Sequence, residues 1–177
     1  MHFTWIDYPA QYKDAIETWC DDPVIRFALD SDSVKTEHQW YLDSDSFAYN
    51  RNYFCKIALD GETPVALLML AIRGGIVYLD TLIVNPALRN RGYGARIVAE
   101  AIENAERLIG SRDNVFVAQI HKDNEISKKL AHKLGFHFIY TDAEANDDWF
   151  DWVYPASAAK DVLALRDAGN EIAEENF

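Results

Sequence analysis

The stretch Leu82-Ile83-Val84-Asn85-Pro86-Ala87-Leu88-Arg89-Asn90-Arg91-Gly92-Tyr93-Gly94-Ala95-Arg96 holds the residue types best suited to chemistry. A β-branched run stops at Pro86, which cannot donate to a ladder, and two closely spaced glycines then open a helical pattern. The first N–H groups of a helix have no partner inside it, and the macrodipole there favours an anion. Glycines at 92 and 94 clear side chains from the approach of a phosphate. Arg89, Arg91 and Arg96 concentrate positive charge on a chain of net charge −12. Such a local reversal of sign suits an anionic ligand. Two common phosphate motifs fail. No Lys-Ser or Lys-Thr pair follows the glycines, and Ile97 stands where the dinucleotide fingerprint needs its third glycine. Taken alone, the loop also reads as a helix start with solvated arginines.

The elements around this loop follow from hydrophobic period and turn residues. Tyr53 to Leu59 predicts a strand, Asp60-Gly61-Glu62-Thr63 a hairpin turn, and Val65 to Ile72 the return strand. Arg73-Gly74-Gly75 turns the chain again into a third strand, Ile76 to Val84, completing an antiparallel meander. Ile97, Val98, Ala101, Ile102, Ala105 and Leu108 share one face of a helix over Gly92 to Leu108. Asn114 to His121 is a strand, so strand, helix and strand from Ile76 onward demand a crossover and a parallel pairing. Asp123 or Asn124 caps a helix bearing Ile126, Leu130, Ala131 and Leu134, which Gly135 ends. Phe136 to Thr141 and Trp149 to Tyr154 are further strands, joined by an acidic loop. Upstream, Tyr12, Ala15, Ile16 and Trp19 predict a helix over Ala10 to Cys20, stopped by Asp21-Asp22-Pro23. A second helix is expected over Val34 to Leu42, with Ser33 as N-cap, and a last one over Ser157 to Ala168 before an acidic tail. Residues 1–156 are expected to form one domain, followed by a C-terminal helix and tail over 157–177.

Composition sets outer bounds. A chain of 177 residues that is 49 % hydrophobic suits a single domain with a substantial core. With 17 Lys and Arg against 29 Asp and Glu, it lacks the basic footprint of a nucleic-acid or anionic-membrane binder. Cys20 and Cys55 form no C-x-x-C pair, so they are read as reduced residues and no metal site is expected. The N-terminus lacks the basic and apolar regions of a signal peptide, and Val65 to Ile72 is far too short to span a bilayer. The expected location is the cytoplasm.

Arg89-x-x-Gly92-x-Gly94, the preceding Leu82-Ile83-Val84-x-Pro86, and the later Asn124-Glu125-Ile126-Ser127 and Lys133-Leu134-Gly135-Phe136 together resemble the GNAT superfamily of acetyl-CoA-dependent N-acetyltransferases. The resemblance runs from Tyr53 to Tyr154 and leans loosely toward the ribosomal-protein N-acetyltransferase-like branch. It implies an α/β fold: a mixed, mostly antiparallel central sheet with a parallel splayed step and helices on both faces. It further implies that the backbone of Leu82, Ile83 and Val84 binds the pantetheine arm and polarises the thioester carbonyl. The N–H groups of Asn90, Arg91, Gly92, Tyr93, Gly94 and Ala95 would hold the pyrophosphate, with Arg89 and Arg91 adding charge. Asn124 would bond the pantetheine or the amine while also capping its helix.

The implied reaction is direct attack of a primary amine on acetyl-CoA in a ternary complex. Here the chain departs from the pattern. Ala131 occupies the position where many members carry a tyrosine acid; resemblance to the ribosomal-protein N-acetyltransferase-like members, in which a Ser three residues after the Asn can take this role, implies that Ser127 contacts the cofactor and stabilises the leaving thiolate. Gln119 occupies the position where some relatives carry a glutamate base. Asp80, among Val77, Tyr78, Leu79 and Leu82, is the candidate base, with His121 as another. The acceptor would be a small molecule, a peptide or a protein N-terminus. The acidic loop Asp142 to Asp148, with Asp30, Asp32, Asp43 and Asp45, would steer a cationic one or simply be solvated. Ala131 and Gln119 keep open an acyl-CoA-binding module without catalysis. Val162, Leu163 and Leu165 keep open a partner-binding domain that docks on another subunit, such as a homodimer.

Overall fold

A computed structural model describes residues 2–8, 10–29, 52–112, 115–139 and 148–165. Its centre is a seven-stranded sheet in the order β1-β2-β3-β4-β5-β7-β6. The strands are β1 (Thr4–Asp7), β2 (Tyr53–Asp60), β3 (Thr63–Arg73), β4 (Ile76–Val84), β5 (Phe116–His121), β6 (His137–Ile139) and β7 (Trp149–Tyr154). Every pairing is antiparallel except β4 with β5. The meander and the parallel step therefore stand as the sequence pattern predicts. Strand β1 was not foreseen, because four residues next to the chain start carry too short an alternation to read.

Helices cover both faces. On one side lie α3 (Tyr93–Glu103), α4 (Ala105–Ile109) and α5 (Glu125–Lys133). Ile97, Ala101, Leu108 and Ala131 pack there against Ala58, Ala66, Leu68, Leu70 and Val77. On the other side α1 (Lys13–Cys20) and α2 (Pro23–Ala28) bring Ile16, Trp19 and Ile25 onto Ile57, Leu67, Met69 and Ile83. A helix over 159–165, α6, covers the far end of that same face. Its Val162 is buried with Ile76, Val117, Ile139 and Val153, while Leu165 is exposed. Residues of opposite parity on β3 thus feed opposite cores, as strand geometry requires. Both cysteines are buried, and they form no disulfide among the described residues. No helix among the described residues is long and apolar enough to cross a membrane.

Three boundaries differ from the pattern. The long helix predicted from Gly92 to Leu108 breaks at Asn104, whose ψ of 23° leaves the helical region and whose side-chain amide joins its own backbone N–H on the Glu100 carbonyl. Asp21-Asp22-Pro23 does end α1, but Asp22 then caps a new helix with Pro23 at its first position. The C-terminal helix starts with a 3₁₀ turn at Ala156–Ala158. The expected helix over 34–42, the aspartates at 30, 32, 43 and 45, the 142–147 loop and the acidic tail lie outside the described residues.

Glu100 anchors the N-terminal strand. It is buried on α3, and its carboxylate accepts the Phe3 N–H at 3.0 and 3.2 Å and the Trp5 indole N–H at 3.0 Å. Removing the acceptor leaves these donors stranded in the core. Glu100→Ala is expected to lower unfolding free energy by about 2–3 kcal/mol, read as a fall in the urea midpoint at unchanged slope. A change within about 0.5 kcal/mol would deny the anchor its role.

Candidate active site

The site begins where β4 leaves β5. Their parallel register covers only Val77 with Phe116 and Tyr78 with Val117. Beyond Tyr78, β4 remains paired with β3 as far as Val84, but it has no strand on its other side among the described residues. The Asn85 N–H bonds the Val65 carbonyl at 2.9 Å. In an antiparallel ladder this makes Val84 and Ala66 a non-bonded pair. Leu82 and Val84 therefore turn their N–H and C=O groups toward the opening, while Ile83 spends its groups on β3. Of the three residues expected to lend their backbone, two face the cleft.

The chain then makes a 3₁₀ turn, Pro86–Leu88, capped by Asn85 Oδ1 on the Ala87 N–H at 3.0 Å. Asn90 (φ 61°) and Gly92 (φ 78°) are both left-handed. Alternating hand in successive residues curls backbone N–H groups toward a common point. Gly92 is the N-cap of α3 and offers no side-chain cap, so the first-turn N–H groups are left for a ligand. At Gly94 a Cβ would lie 3.5 Å from Leu130 Cδ2 and 3.7 Å from Val84 Cγ2. The helix start, the end of β4 and α5 therefore converge there, and this cradle fits a diphosphate with a narrow chain running down the opening.

The loop's arginines divide their work. Arg89 Nη2 donates to Asp22 Oδ1 at 2.6 Å, and this hydrogen bond is the main cause holding the Asp22 carboxyl below its usual range. The same oxygen accepts the Val24 and Ile25 N–H groups at 2.9 and 3.4 Å, so Arg89 ties the loop to the start of α2. The other end of α2 is held by Asn124 Nδ2 on the Ala28 carbonyl at 3.4 Å. Arg96 lies over the Phe3 ring at 4.7 Å. Arg91 is exposed, and among the described residues it forms no ion pair. The expected charge of Arg89 is thus already engaged, leaving Arg91 as the cation open to an anion. The Tyr93 hydroxyl donates to Asp60 Oδ2 at 2.7 Å, so this residue lends the loop its backbone alone.

Asn124 is buried and caps α5, its Oδ1 accepting the Ser127 N–H at 3.0 Å. The Ser127 hydroxyl is half-buried and takes no hydrogen bond among the described residues. Asp80 sits in a β-bulge: the register passes from Met69–Thr81 to Leu70–Leu79, leaving it unopposed. Its carboxyl is 26 % exposed and accepts Arg73 Nη2 at 3.2 Å. Desolvation raises its pKa above the usual aspartate range, and Arg73 partly opposes the rise. Gln119 Nε2 donates to Asp151 Oδ1 at 3.2 Å, across the β5–β7 pair. His121, at the end of β5, accepts the Asp123 N–H on Nδ1 at 3.2 Å and stands edge-on to Trp149. Its Nδ1 is committed to that turn, as Asp80 Oδ2 is to Arg73. Trp149 is partly exposed and Trp152 half-buried.

The sequence pattern missed three contributors: Asp22, Arg73 and Tyr53. Asp22 had a usable signal, an Asp before a Pro at a helix start. The others had none, because an Arg at a turn and a Tyr at a strand start carry no local mark of a shared site.

Comparisons with known proteins bear on the family and the fold. The family model described as Acetyltransferase (GNAT) family matches residues 12–136. No curated protein matches the chain in sequence. Among solved structures, the aminoglycoside N(6')acetyltransferase of Legionella pneumophila superposes with a TM-score of 0.68 at 15 % identity, over 86 % of this chain and 91 % of its own. RimL, a ribosomal L7/L12 alpha-N-protein acetyltransferase solved with coenzyme A, gives 0.64 at 16 % identity, over 86 % and 93 %. PseH, an N-acetyltransferase of Campylobacter jejuni solved with acetyl coenzyme A, gives 0.61 at 17 % identity, over 85 % and 96 %.

Proposed function

The chain belongs to the acetyltransferase (GNAT) family, and on that premise we propose that it moves an acetyl group from acetyl-CoA to a primary amine, by direct attack within a ternary complex. The observation that carries this reading is the opening of β4 from β5 above Tyr78, facing an uncapped helix start with left-handed Asn90 and Gly92.

Acetyl-CoA supplies an acyl group activated as a thioester. The residues do the rest. The N–H groups from Asn90 to Ala95 bind the diphosphate, with the exposed Arg91 adding positive charge. The N–H groups of Leu82 and Val84 line the cleft as donors for the pantetheine and the acyl oxygen. Asp80 takes a proton from the acceptor's ammonium, a task suited to a carboxylate whose basicity burial has increased. The Ser127 hydroxyl stabilises the departing sulfur from the first turn of α5, where the helix dipole also favours negative charge. Holding both reactants in one cleft supplies a large share of the rate. The acceptor class is a cationic primary amine. The reading draws support from the Asp80 carboxylate, two residues past the last β4–β5 pair, and from the amine-directed names of the solved neighbours.

Thermal unfolding with added nucleotides tests the cofactor. Acetyl-CoA at about 100 times its Kd should stabilise the fold by about 2.7 kcal/mol, with NADH and ATP inert at the same concentration. An equal rise with ATP, or none with acetyl-CoA, would remove the basis of the reading.

A further inference from the structure

Arg73 has no task in the reaction above, yet it lies on the candidate base. It ends β3 and crosses the sheet face that carries α1 and α6. Its guanidinium carbon stands 5.0 Å from the Tyr78 ring centroid and 5.5 Å from that of Tyr53. Nη2 donates to the Tyr53 hydroxyl at 3.1 Å and to Asp80 Oδ2 at 3.2 Å. Two aromatic faces and a carboxylate are the groups that hold an alkylammonium. The Arg73 side chain is 48 % exposed, so leaving this cradle costs it little packing.

We propose that Tyr53, Tyr78 and Asp80 form the subsite for the acceptor's ammonium group, and that Arg73 is a placeholder cation which the acceptor displaces. The inference rests on the reading of Asp80 as the base. Arg73 cannot give up a proton at any working pH. While it holds Oδ2, that oxygen is not open to the amine. A reacting ammonium must therefore take its place, and one cation then replaces another without stranding charge on the cleft floor. The exchange favours a compact primary ammonium, whose three donors reach the carboxylate and the tyrosine faces together. Among the described residues, the charged group that bears on Asp80 is Arg73 from β3, and the phenols of Tyr53 from β2 and Tyr78 from β4 bear in turn on Arg73. The β5 residue two beyond Val117, the register partner of Tyr78, is the uncharged Gln119.

The test uses the full chain with Arg73→Gln, Arg73→Lys and Tyr53→Leu. The Asp80 carboxyl is followed by carbon NMR titration, and acceptor KM is measured on a panel of spermidine, kanamycin and a peptide with a free N-terminus. Arg73→Gln should move the Asp80 titration up, and carry the acid limb of kcat/KM with it. It should lower acceptor KM by about three- to tenfold while the KM for acetyl-CoA stays put. Arg73→Lys, which keeps the charge but loses the planar fork, should fall between wild type and Arg73→Gln in the Asp80 titration. Tyr53→Leu should raise acceptor KM alone. Millimolar guanidinium ion should compete with the acceptor in Arg73→Gln and return the Asp80 titration toward wild type, with no effect on the wild-type protein. An unmoved titration and acceptor KM in Arg73→Gln, or equal guanidinium effects in both proteins, would overturn the subsite. The NMR titration needs no turnover. A shifted, guanidinium-sensitive Asp80 in a protein that acetyl-CoA does not stabilise would instead locate the failure in the acetyltransferase reading.

Discussion

Gly92→Glu is expected to abolish acetyl-CoA binding while the chain stays folded. Two effects add at this position. Its φ of 78° puts any L side chain into the left-handed region, at a cost of about 1–2 kcal/mol. The new carboxylate also stands at the mouth of the anion cradle, where the helix start and Arg91 would otherwise meet the diphosphate. Loss of about 100-fold or more in affinity is expected, equivalent to about 2.7 kcal/mol. Nothing lies within 4 Å of a Cβ built on Gly92, so the substitution creates no clash in the fold itself. Gly92→Ala serves as the control, since it brings the strain without the charge. Calorimetric titration with acetyl-CoA and circular dichroism decide the matter. Near wild-type affinity in Gly92→Glu would mean that the diphosphate sits elsewhere.

Asp80→Asn is expected to lower kcat/KM by about a hundred- to ten-thousandfold, with acetyl-CoA affinity unchanged. The substitution keeps the shape and a hydrogen-bonding oxygen but removes the proton acceptor. The pH dependence gives the finer check. A base works only when deprotonated, and desolvation raises the Asp80 pKa. The wild-type rate should therefore fall with falling pH through a limb above the value of about 3.9 for an unperturbed aspartate. Asp80→Asn should lose that limb. The spermidine, kanamycin and peptide panel suffices for both measurements. A rate within about twofold of wild type, or a limb that survives the substitution, would pass the role to another group, with His121 next in line.

The two tests fail in different ways. Gly92→Glu reads the cofactor loop, whose parts are contiguous from Leu82 to Ala95. Asp80→Asn reads a group that acts only because distant residues surround it. A protein that binds acetyl-CoA but ignores Asp80→Asn would keep the cofactor site and lose the proposed proton path.

That contrast matches what was legible in the chain. The strands from Tyr53 to Val84, the turns at Gly61 and Gly74-Gly75, the loop with its Gly92, and the Asn124 cap are written locally. Period, turn chemistry and caps act over a few residues, so a short window carries them. Strand β1 and helix α2 escaped because each is too short to show a period and depends on a remote partner, Glu100 for one and Arg89 for the other. The bulge at Asp80 and the parting of β4 from β5 were not readable in the same way. A bulge is a mismatch in count between two strands, and a splay is the point where a register stops. Both are properties of pairs.

The residues of the proposed diphosphate cradle were therefore legible in the sequence itself, because backbone hand and an uncapped helix start are local consequences of glycine, asparagine and proline. Which way Leu82 and Val84 face, where the charge of Arg89 goes, and why Asp80 meets Arg73 between two tyrosines were decided only by the tertiary structure. Those hydrogen bonds join residues from 7 to 67 positions apart, and only folding brings such partners within reach.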